Sequence, residues 1–161
     1  MEMEKRGFQG QAADRTALDL IHAGPLAFAI EYRFVGGEQG PSIHVFGPRD
    51  GVEEEILRFD CFDKIPHFHY GFSYIDQPMV PIDPVAVGNP LEWVCDQIEN
   101  NLPDMLTKAD AKELTKECDA QTLSYVADTL KNRASTLDRT KPVLTKCLSI
   151  RNPTEKRDNC I

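Results

Sequence analysis

The sequence has no run of about 18 apolar residues, the length that a membrane-spanning helix requires. It also has no G-x-S-x-G motif and no phosphate-binding P-loop, so a Ser-His-Asp nucleophile and P-loop nucleotide chemistry are not indicated. The opening residues, Met-Glu-Met-Glu-Lys-Arg, precede no apolar stretch, so we expect no secretory signal. These absences predict a soluble, cytoplasmic protein without membrane contact.

Cysteine pairs at metal-binding or redox spacing are also missing. The five cysteines are widely spaced and form no C-x-x-C pair, and an odd number does not suit a disulfide framework. Cys61, Cys95 and Cys118 occupy apolar positions of predicted elements, where a free cysteine behaves as a small hydrophobic residue. We therefore expect reduced thiols, of which Cys160 is the most exposed.

The charge of the chain is acidic and unevenly distributed. Among 161 residues, 26 acidic and 18 basic side chains give a net charge of −8. Residues 139–161 carry +4, so the preceding 138 residues carry −12. An acidic surface repels nucleic acid and attracts basic proteins. The first functional hypothesis is therefore a small binding or regulatory protein that docks on a basic partner protein, with only weak nucleic-acid contact through the basic tail, 139–161.

The first half of the chain has the pattern of a sheet. Residues 1–24 are polar and predict a mobile or partly helical segment. Apolar residues alternate from Leu26 to Val35, which is the period of a half-buried strand. Three further strands are predicted at about 42–46, 54–61 and 66–74. Because the connections are short, we expect a four-stranded antiparallel meander over residues 26–75.

The second half predicts helices. Four prolines between Asp76 and Pro90 predict an extended connector that is neither a central strand nor a helix. Asn89 can cap a helix that begins at Pro90 and ends at Pro103. A second apolar stripe runs from an expected start at Asp110 to Leu137, with a break at Asp119 left open.

Burial predicts how these halves combine. One sheet face carries mainly aromatic and aliphatic side chains: Phe28, Ile30, Tyr32, Phe34, Ile43, Val45, Leu57, Phe59, Phe68, Tyr70, Phe72 and Tyr74. Packing the apolar stripes of the helices at 90–138 on this face gives a two-layer α+β domain over residues 25–138.

The opposite side of the sheet, called the polar face below, holds the candidate site. Alternation places on it Glu31, Arg33, His44, Arg58, Asp60, His67 and His69, together with Ile56. If the hairpin between the third and fourth strands is centred at residues 63–64, Asp60 lies opposite His67 and Arg58 opposite His69. Side chains at such positions are close enough to touch.

Three chemistries could use the polar face. His67, His69 and Asp60, with His44 as a fourth ligand, could bind a divalent metal. Alternatively, His67, His69, Asp60, Arg58 and Arg33 could cleave a phosphodiester without metal, through a His base, a His acid and an Arg that stabilises developing charge. The third is anion or partner binding by the arginines and imidazoles. Against all three stands a plainer interpretation, that this is the solvated face usual in antiparallel sheets.

Two short motifs resemble a known group. Arg58-Phe59-Asp60, followed by Pro66-His67-Phe68-His69-Tyr70, resembles small prokaryotic domains of the TumE-like toxin group, in which an arginine-aromatic-aspartate strand precedes a His-x-His strand. The resemblance implies a toxin-like or accessory role and makes Arg58, Asp60, His67 and His69 the residues to test. It covers about 15 residues and excludes the helical half, which such toxins usually lack.

Overall fold

The computed structural model describes residues 15–72, 77–137 and 139–140. Six strands form one antiparallel sheet in sequence order. They are β1 (Ile21–Ala23), β2 (Leu26–Val35), β3 (Glu38–Arg49), β4 (Val52–Asp60), β5 (His67–Tyr70) and β6 (Met79–Pro81). The α+β class and the antiparallel sheet are as predicted, but the prediction of four strands was wrong.

The two additional strands lie at the edges of the sheet. β1 falls in the segment predicted to be mobile or partly helical, where Arg15–Ala17 forms one turn of 3-10 helix. Ile21 and Ala23 are buried against β2, and this burial stabilises a strand of only three residues. β6 pairs with β5 alone, so Pro81, which has no N–H to donate, occupies an edge strand where it is tolerated.

The helices differ from prediction mainly at prolines. α1 (Pro84–Val87) lies inside the predicted connector, because a proline at the first helical position lacks only a donor that would be unsatisfied anyway. α2 (Pro90–Lys108) has the predicted Asn89 cap, whose side chain accepts from the Glu92 N–H. Pro103 does not end it. The fully buried Leu106 anchors the following turn, and its packing outweighs the lost backbone hydrogen bond.

The second helical stretch is divided in two. A 3-10 helix spans Lys112–Glu117, and α3 (Ala120–Ala134) begins after Asp119, which caps it by accepting from the Thr122 N–H. The predicted start at Asp110 was wrong, because this residue has a positive φ of 62° at the end of α2. Asp119 is the break that the sequence left open.

The core lies between α2, α3 and the predicted aromatic face of the sheet. Phe28, Ile43 and Phe59 are fully buried there, and Phe68 and Tyr70 pack against its border. Cys61 and Cys95 are buried and Cys118 is half-buried, as their apolar positions predicted; Cys160, Tyr74 and residues 141–161 of the predicted tail lie outside the described residues. No helix in the described part of the chain is long and apolar enough to cross a membrane.

A β-bulge in β4 decides which side chains reach the polar face. Val45 pairs with Leu57, but its neighbour Phe46 pairs with Glu55, so Ile56 is the extra residue. As a result Ile56 points into the core and Glu55 turns to the opposite face. The prediction that Ile56 lies on the polar face was therefore wrong.

Candidate metal centre

The polar face is buried rather than solvated. His44, Arg58, Asp60 and His69 are at most 6% exposed. Part of the cover comes from the segment before β1, where Leu18 and Leu20 pack on the alanines of β2. Burial of ionised groups is costly unless each is paired and hydrogen-bonded. The plainer prediction of a solvated face was therefore wrong. Each of these buried groups requires a charged or hydrogen-bonding partner.

Six charged side chains of the polar face form a closed ring of ion pairs. Its successive contacts are Glu31–Arg33 at 3.6 Å, Arg33–Asp60 at 3.2 Å, Asp60–Arg58 at 3.0 Å, Arg58–Glu55 at 3.1 Å, Glu55–His44 at 2.6 Å and His44–Glu31 at 3.0 Å. We call this set the ion-pair ring. It holds three carboxylates and two guanidinium groups, and a protonated His44, whose pKa is raised by its bonds to Glu31 and Glu55, supplies the third positive charge.

Asp60 is the point at which the ring meets the histidines of β5. Its Oδ1 accepts from Ser42 Oγ at 2.6 Å and from Arg33, and its Oδ2 accepts from Arg58 Nε. The same Oδ2 lies 3.4 Å from His67 Nε2 and 3.7 Å from His69 Nε2. Burial raises the pKa of Asp60, but His67, Arg58 and Ser42 outweigh it, so this pKa lies well below its usual range. Asp60 is therefore ionised at neutral pH, and its hydrogen bonds hold it in place.

His67 is oriented by the backbone. Its Nδ1–H donates to the Ile65 carbonyl at 2.8 Å, which leaves Nε2 directed at Asp60. A histidine that binds a metal usually donates its other ring N–H in this way. Burial lowers the pKa of His67, but the hydrogen bonds to Asp60 and to the Ile65 carbonyl raise it by more.

His69 differs from every other buried polar side chain of this face. Among the described residues neither of its ring nitrogens has a hydrogen-bond partner, although the residue is only 6% exposed. Burial and the nearby charge of Arg58 lower its pKa to about 4, so the imidazole is neutral and offers a lone pair. Buried polar atoms without a partner are rare in folded proteins and call for a specific explanation.

The predicted strand register is confirmed, and it brings most of the predicted site residues together. Asp60 pairs with His67 and Arg58 with His69. Asp60, His67 and His69 each offer one ligand atom, and these three atoms lie within 4.8 Å of one another. Arg58 and Arg33 lie beside them as partners of Asp60.

His44 does not join this set, so its prediction as a fourth metal ligand was wrong. Its Nδ1 is bonded to Glu55 and its Nε2 to Glu31, which leaves no ring nitrogen for a metal. Glu55 and Ser42 also belong to this face, although neither was predicted to. Ser42 could have been found, because it lies two residues before His44 and so shares its face, whereas Glu55 reaches the face only through the bulge.

The pH dependence of stability should report His44 together with His67, since the pKa of each is raised in the folded protein. Burial lowers the pKa of His44, but its bonds to Glu31 and Glu55 raise it above the ordinary 6.5. The stabilisation from protonated His44 is therefore complete below pH 6.5 and is lost as the pH rises through the folded-state pKa. We expect the free energy of unfolding, measured in urea with a chelator present, to decline with pH above about 6.5, and to decline less in His44→Gln. The exposed His22 gives the control His22→Gln, which should follow the wild type; an unchanged slope in His44→Gln would contradict the assignment.

Comparisons with known proteins add a family but no activity. No curated protein and no solved structure gives a significant match to the chain. A family model described as a domain of unknown function, DUF7700, matches residues 20–134. This match spans the sheet, the helices and all the polar-face residues named above. The chain therefore belongs to the DUF7700 family.

Proposed function

We propose that the protein binds a divalent first-row transition metal through Asp60 Oδ2, His67 Nε2 and His69 Nε2. The observation that carries this proposal is His69, a buried neutral imidazole whose ring nitrogens have no partner among the described residues and whose Nε2 lies 3.7 Å from a fixed carboxylate oxygen. A metal ion would bind the lone pair of Nε2.

The distances support the fit. In a tetrahedral site with ligand distances of about 2.0–2.2 Å, ligand atoms are separated from one another by about 3.3–3.6 Å. The separations of Asp60 Oδ2 from the two imidazole nitrogens, 3.4 and 3.7 Å, agree with this geometry. Each carboxylate oxygen has two lone pairs, so Oδ2 can keep its bond from Arg58 and still bind a metal.

Hydrogen bonds from neighbouring groups hold two of the proposed ligands in place, as is usual in metal sites. Ser42 and Arg33 hold the other oxygen of Asp60, and the Ile65 carbonyl holds His67. Imidazole with carboxylate suits Zn²⁺, Fe²⁺, Ni²⁺ or Mn²⁺, and the absence of a thiolate from the set argues against a structural Cys-rich zinc site.

Three protein ligands leave at least one coordination position for water or substrate, as in catalytic zinc sites. Metal-bound water has a lowered pKa, and the guanidinium groups beside Asp60 could stabilise negative charge on a substrate. A metal-dependent hydrolase that acts on RNA or another phosphodiester is therefore one use of this centre, and metal-free cleavage by the same histidines and arginines stays a second prediction. The resemblance to TumE-like toxins rests on the same two strands and stays a prediction.

Metal titration of three variants tests the proposal. Protein without a polyhistidine tag is stripped with a chelator and titrated with Zn²⁺ by calorimetry and with Co²⁺ by visible absorption. We expect one ion per chain, and dissociation constants at least about 100-fold higher in His67→Ala and in His69→Ala, because loss of a ligand costs more than loss of an outer-shell partner. His22→Ala removes a histidine outside the centre and should bind as the wild type does.

Two results would overturn the proposal. One is that the folded wild type binds no ion; the other is that His69→Ala binds as tightly as His22→Ala. Circular dichroism of each variant shows whether it is folded, and the wild-type stoichiometry decides the question even if a variant does not fold.

The basic partner protein stays a separate prediction. Asp60, one of eight acidic residues between Asp60 and Leu106, is buried in the ion-pair ring and contributes nothing to an acidic docking surface. Asp96, on α2, is exposed, and its carboxylate lies 3.8 Å from Lys131 Nζ. The predicted weak nucleic-acid contact concerns a tail of which only residues 139–140 are described.

A further inference from the structure

A groove opens on the other side of β5 from the metal centre. It lies between the β5–β6 edge of the sheet and α2, and its volume is about 600 Å³. This is within the 300–1,000 Å³ that is typical of small-molecule sites. Phe68, which lines the groove, stands between His67 and His69 in the sequence, so the short strand β5 contributes side chains both to the groove and to the candidate metal centre.

The wall of the groove is mainly apolar. Phe68 and Trp93 face each other with ring centroids 6.4 Å apart, and Met105 continues this surface along α2. A thioether and aromatic rings form an adaptable surface for an apolar chain or ring. The groove can therefore hold the hydrophobic part of a small ligand.

Apart from Tyr70 of β5, the polar side chains of the lining are collected along α2. Gln97 and Asn101 are one turn apart and joined by a hydrogen bond of 3.0 Å, and Lys108 lies two turns further along the helix. Among the described lining residues Lys108 is the one charged side chain, and it makes no ion pair or hydrogen bond within the described chain. An ammonium group without a partner beside an apolar wall complements a ligand with one negative end.

We propose that this groove binds a small amphipathic carboxylate, with its apolar chain on Phe68, Trp93 and Met105 and its carboxylate at Lys108. The proposal is independent of the metal, since no lining residue is a metal ligand. A hydrogen-bonded ion pair between carboxylate and ammonium, at the rim of an apolar groove, fixes the direction in which the ligand lies.

Trp93 is the single tryptophan of the chain and reports directly on the groove. Metal-stripped protein is titrated with octanoate, below its micelle concentration, and with the uncharged 1-octanol. We expect a saturable change in Trp93 emission with octanoate. Lys108→Gln should raise the octanoate dissociation constant about tenfold, as expected for a charge-assisted hydrogen bond, and should leave octanol binding unchanged.

Two further variants complete the test. Lys108→Arg keeps the charge and should bind octanoate within about twofold of the wild type. Lys116→Gln removes a lysine outside the groove and should have no effect. The proposal is overturned if octanoate causes no saturable change, if Lys108→Gln and Lys116→Gln bind octanoate equally well, or if emission follows protein concentration without ligand, which would indicate a second copy of the chain in the groove.

Discussion

Replacing Arg58 with methionine is expected to lower the free energy of unfolding by about 3–5 kcal/mol. The guanidinium is 2% exposed, and it donates to Asp60 at 3.0 Å and to Glu55 at 3.1 Å. Methionine fills similar space but donates nothing, so two buried carboxylates each lose a charged partner. Asp60 keeps Arg33 and Glu55 keeps His44, but the buried negative charge then exceeds the positive charge, and this imbalance accounts for most of the cost.

Arg49 provides the matched control. It is also a strand arginine with a carboxylate partner, Glu54, at 2.9 Å, but its side chain is 47% exposed. An exposed ion pair contributes about 0–1 kcal/mol, so Arg49→Met should change stability little. Urea denaturation followed by circular dichroism measures both variants. Equal losses in the two would show that the ion-pair ring does not depend on Arg58.

Gly40→Ala is the second change with a large expected effect. A Cβ at this position would lie 2.4 Å from the Cys61 carbonyl oxygen and 2.9 Å from the Phe62 Cα, and both are backbone atoms that cannot rotate away. The φ of Gly40 is also +154°, which an L side chain rarely adopts. We expect a loss above about 4 kcal/mol, at the extreme of single substitutions, or a failure to fold.

Gly37→Ala separates the cost of the steric clash from the cost of the backbone conformation. Its φ is +85° and no atom lies within 4 Å of the position of the added Cβ, so only the backbone conformation is penalised. We expect a loss of about 1–2 kcal/mol. If Gly40→Ala costs no more than Gly37→Ala in the same urea titration, then β3 does not approach the end of β4 as closely as described. The placement of Asp60, which directly precedes Cys61, would then need revision.

The meeting of Asp60 with His67 and His69 could be predicted because it depends on local patterns. β4 and β5 alternate clearly, and a short hairpin fixes their register. The cap of α2 was equally predictable, since Asn89, Pro90 and Glu92 form a local signal. The central part of the candidate site therefore followed from spacing alone.

The remaining features depend on tertiary packing. Alternation alone cannot locate the bulge at Ile56, so the sequence could not assign Glu55 to the polar face or show that His44 is already fully bonded. Three residues are too few to show the period of β1. The continuation of α2 past Pro103 and the burial of the polar face both depend on what packs against them, which propensity does not describe.

The proposed metal centre requires that His67, His69 and Asp60 share one metal ion. Anomalous diffraction from crystals grown with Zn²⁺, measured on both sides of the zinc absorption edge, tests it most directly. We expect one peak per chain about 2.0–2.2 Å from His67 Nε2, His69 Nε2 and Asp60 Oδ2. A chain that shows no zinc peak there, with His69 hydrogen-bonded to an ordered water instead, would contradict it.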